Sequence, residues 1–298
     1  MRREDTLITF ACLLFGLCLA AQVAKAQAPC TLETMTGTYA FYDKGSSLVL
    51  DLTANPFPVH WAGAVAPFVA VGEITFGPDG VGDGFYWIRV GSLNGGFDPV
   101  PVRVTITEMN QDCTGKYRYS VTLPGAPSAT LIEERFVLTN NGRQFSSVPT
   151  FIGESGIPTL AWLGSGQRIR KPSDPVNNCG LQTGQGTFLF SAENIVTLDF
   201  NTGLADTLLI HMDVTSNGDY TGMLYEKFGP MPVELPVSGA FLVSPNCSVS
   251  WDLNVVINEV PTKIGIRGVI FNQGKNFYGL SMEKDVFYSS VQGVRVSP

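Results

Sequence analysis

His60 and His211 are the only histidines in a chain of 298 residues, and their scarcity limits the chemistry open to it. A His-rich metal site within one chain is excluded, and H-E-x-x-H is absent. His211 sits in Leu208-Leu209-Ile210-His211-Met212-Asp213, which reads as a strand carrying an ordinary histidine on one face. His60 lies in Asn55-Pro56-Phe57-Pro58-Val59-His60-Trp61-Ala62-Gly63, a long apolar connection punctuated by proline. Such a loop either packs over the end of a fold or marks a binding surface. Further on, Phe85, Trp87 and Arg89 alternate with Tyr86, Ile88 and Val90, so each set shares one face of a strand. If the first face lines an interior, Trp87 and Arg89 form a mixed apolar and cationic pocket suited to a small amphipathic ligand. Trp61, Trp87, Arg89 and His60 are therefore the candidate ligand-binding residues.

Other catalytic signatures fail on inspection. Leu163-Gly164-Ser165-Gly166 and Gly153-Glu154-Ser155-Gly156 lack both the full G-x-S-x-G frame and a following helix. Gly77-Pro78-Asp79-Gly80-Val81-Gly82-Asp83-Gly84 has too few carboxylates for an all-protein calcium site and reads as a hairpin turn. Carboxylates such as Glu73, Glu108, Glu134, Asp213 and Glu234 are plentiful. A glycosidase needs two of them at a defined separation, which spacing along a barrel sequence does not reveal. No catalytic residue, metal ligand or cofactor site is assigned. Arg168 and Arg295 recur in matching contexts near the ends of two similar segments. They either cap carbonyls or stack on a ring at a barrel end, or meet an anionic ligand.

That recurrence is one of several. CTLETMTGTYAF at residues 30–41 and CGLQTGQGTFLF at residues 179–190 share Cys, Leu, Thr, Gly, Thr and Phe at the same positions. Collinear matches follow. Ile74-Thr75-Phe76 with Gly80 and Gly84 matches Met212-Asp213-Val214 with Gly218 and Gly222, and Asp112-Cys113-Thr114 matches Asn246-Cys247-Ser248. Val137-Leu138 with Gly142 and Phe145 matches Val269-Ile270 with Gly274 and Phe277, and Gly166-x-Arg168 matches Gly293-x-Arg295. The chain therefore reads as two copies of one domain, residues 27–170 and 179–298, joined by a polar, proline-containing linker at residues 171–178. Each copy holds one cysteine at its start and one past its middle. Equivalent copies should fold equivalently, so the simplest pairing is Cys30 with Cys113 and Cys179 with Cys247.

Residues 1–26 read as a secretory signal peptide. Arg2 and Arg3 precede the apolar run Leu7 to Ala20, and Ala24-Lys25-Ala26 offers a small-x-small cleavage site. Removing that segment takes away two further cysteines, Cys12 and Cys18, and moves the formal net charge from −7 to −8, because the segment itself carries +1. An acidic exported chain has no electrostatic attraction to phosphate backbones, so no nucleic-acid partner is expected. No later run is apolar for the ~18 residues a membrane-spanning helix needs. The expected location is extracellular, where an even cysteine count signals disulfides. Asn246-Cys247-Ser248 is the sole sequon of the mature chain, so Asn246 is a glycosylation site if the source is eukaryotic.

Strand chemistry dominates the remainder. Thr38 to Phe41, Phe85 to Val90, Val102 to Ile106 and Tyr117 to Val121 are rich in β-branched and aromatic residues. Asp79-Gly80, Asn94-Gly95, Asn141-Gly142, Asn217-Gly218 and Gln273-Gly274 separate such runs with hairpin-turn chemistry. The expected fold is all-β, with two tandem antiparallel β-barrels or closed sandwiches of about eight strands each. The series Gly37-Thr38-Tyr39-x-Phe41, Gly72-x-Ile74-Thr75-Phe76, Asp112-Cys113-Thr114-Gly115 and Gly166-x-Arg168 resembles a group of secreted, mostly uncharacterised β-rich microbial proteins. It is similar at fold level to lipocalin-like and allene oxide cyclase-like barrels. The resemblance implies a barrel but carries almost no mechanism. The expected function is a secreted, non-enzymatic binding protein for a small apolar or amphipathic molecule or a glycan. The alternatives are a cyclase- or isomerase-type barrel enzyme and a structural or adhesive surface module. The first copy is expected to hold the site, because it has the longer insert and the Phe85-Trp87-Arg89 face.

Overall fold

Strand ends in this protein are set by turns with left-handed backbone. Asn140, Asn141 and Gly142 have φ of 52°, 54° and 71°, and Asn272, Gln273 and Gly274 have 54°, 57° and 80°. Asparagine tolerates that region, and glycine enters it at no steric cost. Gly142 also has no room for a side chain, since a Cβ there would run into the Thr34 carbonyl. Between such turns the chain runs in long strands. The architecture is a computed structural model that describes residues 29–50, 61–90, 93–94, 98–121, 129–152, 160–171, 179–199, 202–228, 231–257, 259–282 and 289–297. The proposed signal peptide, His60 and all but Lys171 of the expected linker lie outside the described residues.

The first barrel comprises β1 (Gly37–Leu50), β2 (Trp61–Phe76), β3 (Val81–Val90), the two-residue β4 (Leu93–Asn94), β5 (Val100–Met109), β6 (Thr114–Val121), β7 (Thr130–Thr139), β8 (Gln144–Ile152) and β9 (Leu160–Arg170). Its strands pair antiparallel in the order β2-β1-β9-β8-β7-β6-β5-β3, and a β2–β3 ladder closes the ring while β4 adds only to β3. The second barrel closes in simple chain order from β10 (Gly186–Asp199) through β11 (Thr202–Val214), β12 (Asp219–Phe228), β13 (Met231–Val243), β14 (Ser248–Ile257), β15 (Val260–Phe271) and β16 (Asn276–Ser281) to β17 (Ser289–Ser297). Each is an eight-stranded antiparallel barrel, as the turn spacing predicts. Closure pairs the edges that long apolar strands would otherwise expose. Alternation sets what points inward. Along β5, Val102, Val104 and Ile106 are buried while Arg103 and Thr105 between them are exposed. Among the described residues no helix is long and apolar enough to cross a membrane.

One end of each barrel is plugged in the same way. A 3-10 turn at Leu32–Met35 buries Met35 under the first barrel, and a matching turn at Leu181–Gly184 closes the second. Disulfides Cys30–Cys113 and Cys179–Cys247 tie these plugs to the barrel walls, the pairing expected from the matched cysteines. Arg168 Nη1 donates to the Thr34 carbonyl at 3.1 Å and its Nη2 to the Asn141 carbonyl at 3.3 Å. Arg295 does the same toward Gln185 at 3.1 Å and Gln273 at 2.9 Å. Both arginines thus span a plug and an adjacent turn.

The barrels meet along a buried, largely apolar seam. Ala40, Tyr42, Val71 and Trp87 of the first pack with Val269, Phe271, Leu280 and Met282 of the second. The Tyr42 and Tyr278 rings are 5.3 Å apart between centroids. Arg89 is 3% exposed and donates from Nη1 to the Ser281 carbonyl at 2.8 Å. This seam explains why β15 is buried along both faces over most of its length: one face lies in its own barrel and the other against its neighbour. It also corrects the orientation expected for β3. Tyr86 and Ile88 point into the lumen, while Trp87 and Arg89 point outward into the seam. A strand buried on both faces shows no amphipathic bias from which to choose its inner side.

Candidate functional site

The two interiors differ. In the second barrel Phe188, Phe190, Phe241, Trp251 and Phe277 stack into a continuous aromatic core, with the Phe190 and Trp251 centroids 4.6 Å apart. The first barrel keeps a cavity of about 40 Å³, counted as space open to the centre of a water molecule. Its lining is mostly aliphatic and aromatic but includes Asp43, Glu134, Tyr86, Tyr117 and Tyr119. Such a mixture, an apolar wall with a few convergent polar groups, is the usual make-up of a small-molecule site.

The polar cluster is built from five strands. Asp43 on β1 pairs with Gly164 on β9, and Gly164 pairs with Ser147 on β8, so the three form one row across the wall. Glu134 on β7 pairs with Tyr117 on β6, and Tyr119 projects inward two residues further on. Glu134 is fully buried and Asp43 is 7% exposed. Tyr119 donates to Glu134 Oε1 at 2.6 Å, and Tyr117 donates to Oε2 at 2.7 Å. Tyr117 Oη also lies 2.8 Å from Ser147 Oγ. The phenol has one proton, which goes to the carboxylate, so Ser147 donates to the phenol oxygen. Gly164 leaves the space in which these groups meet. A Cβ there would sit 2.6 Å from Asp43 Oδ1 and 3.5 Å from Glu134 Oε2, and closer still to Ser147 Oγ.

Electrostatics follow from burial. Desolvation, and then the Glu134 charge beside it, raise the Asp43 carboxyl well above the usual carboxylate range. The Tyr117 and Tyr119 phenols are pushed up by burial first and by the charges of Glu134 and Asp43 second, so both stay protonated as donors. Glu134 thus accepts two phenolic hydrogen bonds, and Asp43 is the group driven toward its neutral acid. Tyr86 lines the same cavity at 4% exposure, and its hydroxyl is buried without a hydrogen-bond partner. Burial raises that phenol as well.

Strand-for-strand register places each member of this cluster opposite a counterpart in the second barrel. The Asp43–Gly164–Ser147 row corresponds to Ala192–Val291–Gly279. The Tyr117–Glu134 pair corresponds to Trp251–Ile266, Tyr119 to Leu253, and Tyr86 to Leu224. Every ionisable side chain among these positions is replaced by a residue that does not ionise: aliphatic, glycine or, at Trp251, an indole. An eight-stranded barrel of this register therefore folds without the cluster, and Asp43 and Glu134 are not required by the architecture.

The residues singled out from sequence are dispersed. Trp87 and Arg89 lie in the seam rather than the lumen, His60 lies outside the described residues, and Trp61 begins β2 opposite Leu50. Arg168 and Arg295 cap carbonyls at the plugged ends. Asn246 is exposed in a turn where its Oδ1 accepts from Ser248 N and Oγ. Asp43, Tyr117 and Tyr119 carried no functional expectation, and Glu134 stood only among the many carboxylates. The signal that isolates them is the contrast between the two barrels at inward positions.

No family model matches the chain, and no curated protein matches it. Among solved structures, intact Ap-TbpB (N and C lobes) aligns at 10% identity and a TM-score of 0.28, covering 88% of this chain and 77% of that one. A protein of unknown function of the DUF3598 family from Nostoc punctiforme PCC 73102 aligns at 9% identity and a TM-score of 0.23, covering 90% and 99%. A Nitrosomonas europaea protein provisionally assigned as AttH aligns at 10% identity and a TM-score of 0.27, covering 91% and 98%. No functional residue is carried over from these structures.

Proposed function

We propose that this is an exported binding protein made of two copies of one barrel, in which the first takes a small amphipathic molecule into its lumen and the second is a solid support. One observation carries the reading. At seven register-matched inward positions the first barrel holds Asp43, Glu134, Ser147, Tyr86, Tyr117, Tyr119 and a space-making Gly164, where the second has aliphatic residues, glycine or Trp251 and no ionisable group. Buried carboxyls cost free energy that a purely structural barrel has no reason to spend. Two disulfides suit the oxidising compartment that a signal peptide at residues 1–26 would reach. An isomerase-type enzyme is the second reading. An acid driven toward its neutral form beside a second buried carboxyl is an arrangement that can donate and accept a proton.

The test grafts one row of the second barrel onto the first. Asp43→Ala, Ser147→Gly and Gly164→Val together reproduce residues that the matching wall already accommodates. The full chain and the triple variant are compared in a ligand-observed NMR screen of small amphipathic compounds. Binding by the parent that is lost in a folded variant supports a lumenal site. Equal binding by both, or no binding by the parent, removes the first barrel's lumen as the functional site.

A further inference from the structure

We infer that the first barrel's lumen is a site for a small organic cation, an alkylammonium group seated between Asp43 and Glu134 with its carbon chain against Ile88, Val104 and Ile132. The inference rests on the reading of this barrel as a binding barrel and adds the class of ligand.

Charge is the first argument. Two carboxyl groups face one apolar cavity, and no lysine, arginine or histidine is among its lining residues. The groups facing Asp43 are Glu134 from β7, Tyr117 and Tyr119 from β6 and Tyr86 from β3, all acids or neutral phenols. Among the described lining residues none carries a positive charge to offset a second negative one, and an ammonium ion would. An ammonium also has three N–H donors, which suit carboxylate and phenol oxygens.

The second argument is the unused hydroxyl. Buried polar groups are almost always satisfied within a folded protein, and an orphan calls for an explanation. Tyr86 Oη is such an orphan on the lining of this same cavity. The tyrosine–carboxylate network is therefore not closed, and a polar group from outside would complete it. The third argument is size. One water needs roughly 10–15 Å³ on this measure, so about 40 Å³ admits three or four non-hydrogen atoms. Ethylammonium or propylammonium fits that space. A calcium ion suits the site less well, because among the described residues only two carboxyl groups meet there and both Glu134 oxygens already accept from phenols.

Binding would be an exchange. The proton held by Asp43 leaves to solvent as the ammonium enters, so the site keeps its balance of charge and affinity rises with pH. The assay is titration calorimetry on the full-length mature chain with propylammonium, 1-propanol and propionate, between about pH 5 and about pH 8. Propylammonium should bind, with a heat that varies with the buffer's ionisation enthalpy in proportion to protons released. Asp43→Asn should weaken it by about ten-fold or more and flatten the pH dependence. Tyr86→Phe should weaken it by a smaller factor and leave the pH dependence intact. If Asp43→Asn does not fold, Glu134→Gln and Tyr86→Phe carry the comparison. Propanol binding as tightly as propylammonium would overturn the cation class while leaving a lumenal binder in place. Failure of propylammonium to bind would also overturn it, and the wider amphipathic screen would then decide whether the barrel binds anything.

Discussion

Replacing Trp87 with alanine separates two roles for that residue. Its side chain is 4% exposed and packs in the seam beside Phe85, with ring centroids 5.3 Å apart, facing Val269, Phe271 and Leu280 of the other barrel. A buried tryptophan removes roughly 200 Å² from water. At about 25 cal/mol per Å² that is about 5 kcal/mol. Measured tryptophan truncations in packed interiors cost about 3–5 kcal/mol. The loss should fall on the coupling between barrels, because neither lumen loses an atom. Denaturant unfolding followed by peptide-resolved hydrogen exchange reports each barrel separately. The parent should open both barrels together, and Trp87→Ala should let them open at different denaturant concentrations. A cost below about 1 kcal/mol, with both barrels still opening together and ligand affinity reduced, would refute the seam assignment and return Trp87 to a binding role.

Two further outcomes are expected. Burial raises the Glu73 carboxyl to about 7 against the opposing pull of Arg170. A carboxyl raised on folding stabilises the native state below its unfolded value and loses that contribution as pH rises, so the parent should lose up to about 3 kcal/mol between pH 4.5 and pH 7 that Glu73→Gln keeps. Thermal melts of both proteins across that range check it, and parallel curves would sink the claim. Arg168→Ala removes donors to Thr34 and Asn141 at the plugged end and should cost about 1–3 kcal/mol. Arg168→Lys should recover little, because one ammonium does not span two carbonyls as a guanidinium fork does, and a full recovery in melting temperature would contradict that.

The fold was legible because its signals are local. Turn dipeptides such as Asn141-Gly142 and Gln273-Gly274 mark strand ends, and the matched cysteines and arginines mark the plugs. Orientation was harder to read. In Phe85 to Val90 both faces are bulky, and the choice between them depends on a neighbouring barrel that lies far away in sequence. Tyr86 could have been placed by its counterpart Leu224 in a strand whose other face is more polar. The acid cluster was hidden for a related reason. Asp43 and Glu134 lie 91 positions apart and meet only when β1 and β7 close round the same lumen. Comparing the two barrels at matched inward positions exposes them, since Tyr42-Asp43 stands where Ser191-Ala192 stands and Glu134 where Ile266 does.

The seam gives the first barrel two kinds of wall. β1, β2 and β3 are backed by the second barrel through Tyr42, Val71 and Trp87. β6, β7 and β8 face solvent, with Val137 and Val148 each 46% exposed. Their compliance should differ accordingly. A barrel whose lumen holds only a few atoms must breathe to admit a guest, and the solvent-facing wall is the one free to swell. Asp43 stands on the clamped wall, and Glu134, Tyr117 and Tyr119 stand on the free one. The distance between the carboxyls is therefore the quantity that breathing would modulate, with the second barrel as the backing against which the first one would flex.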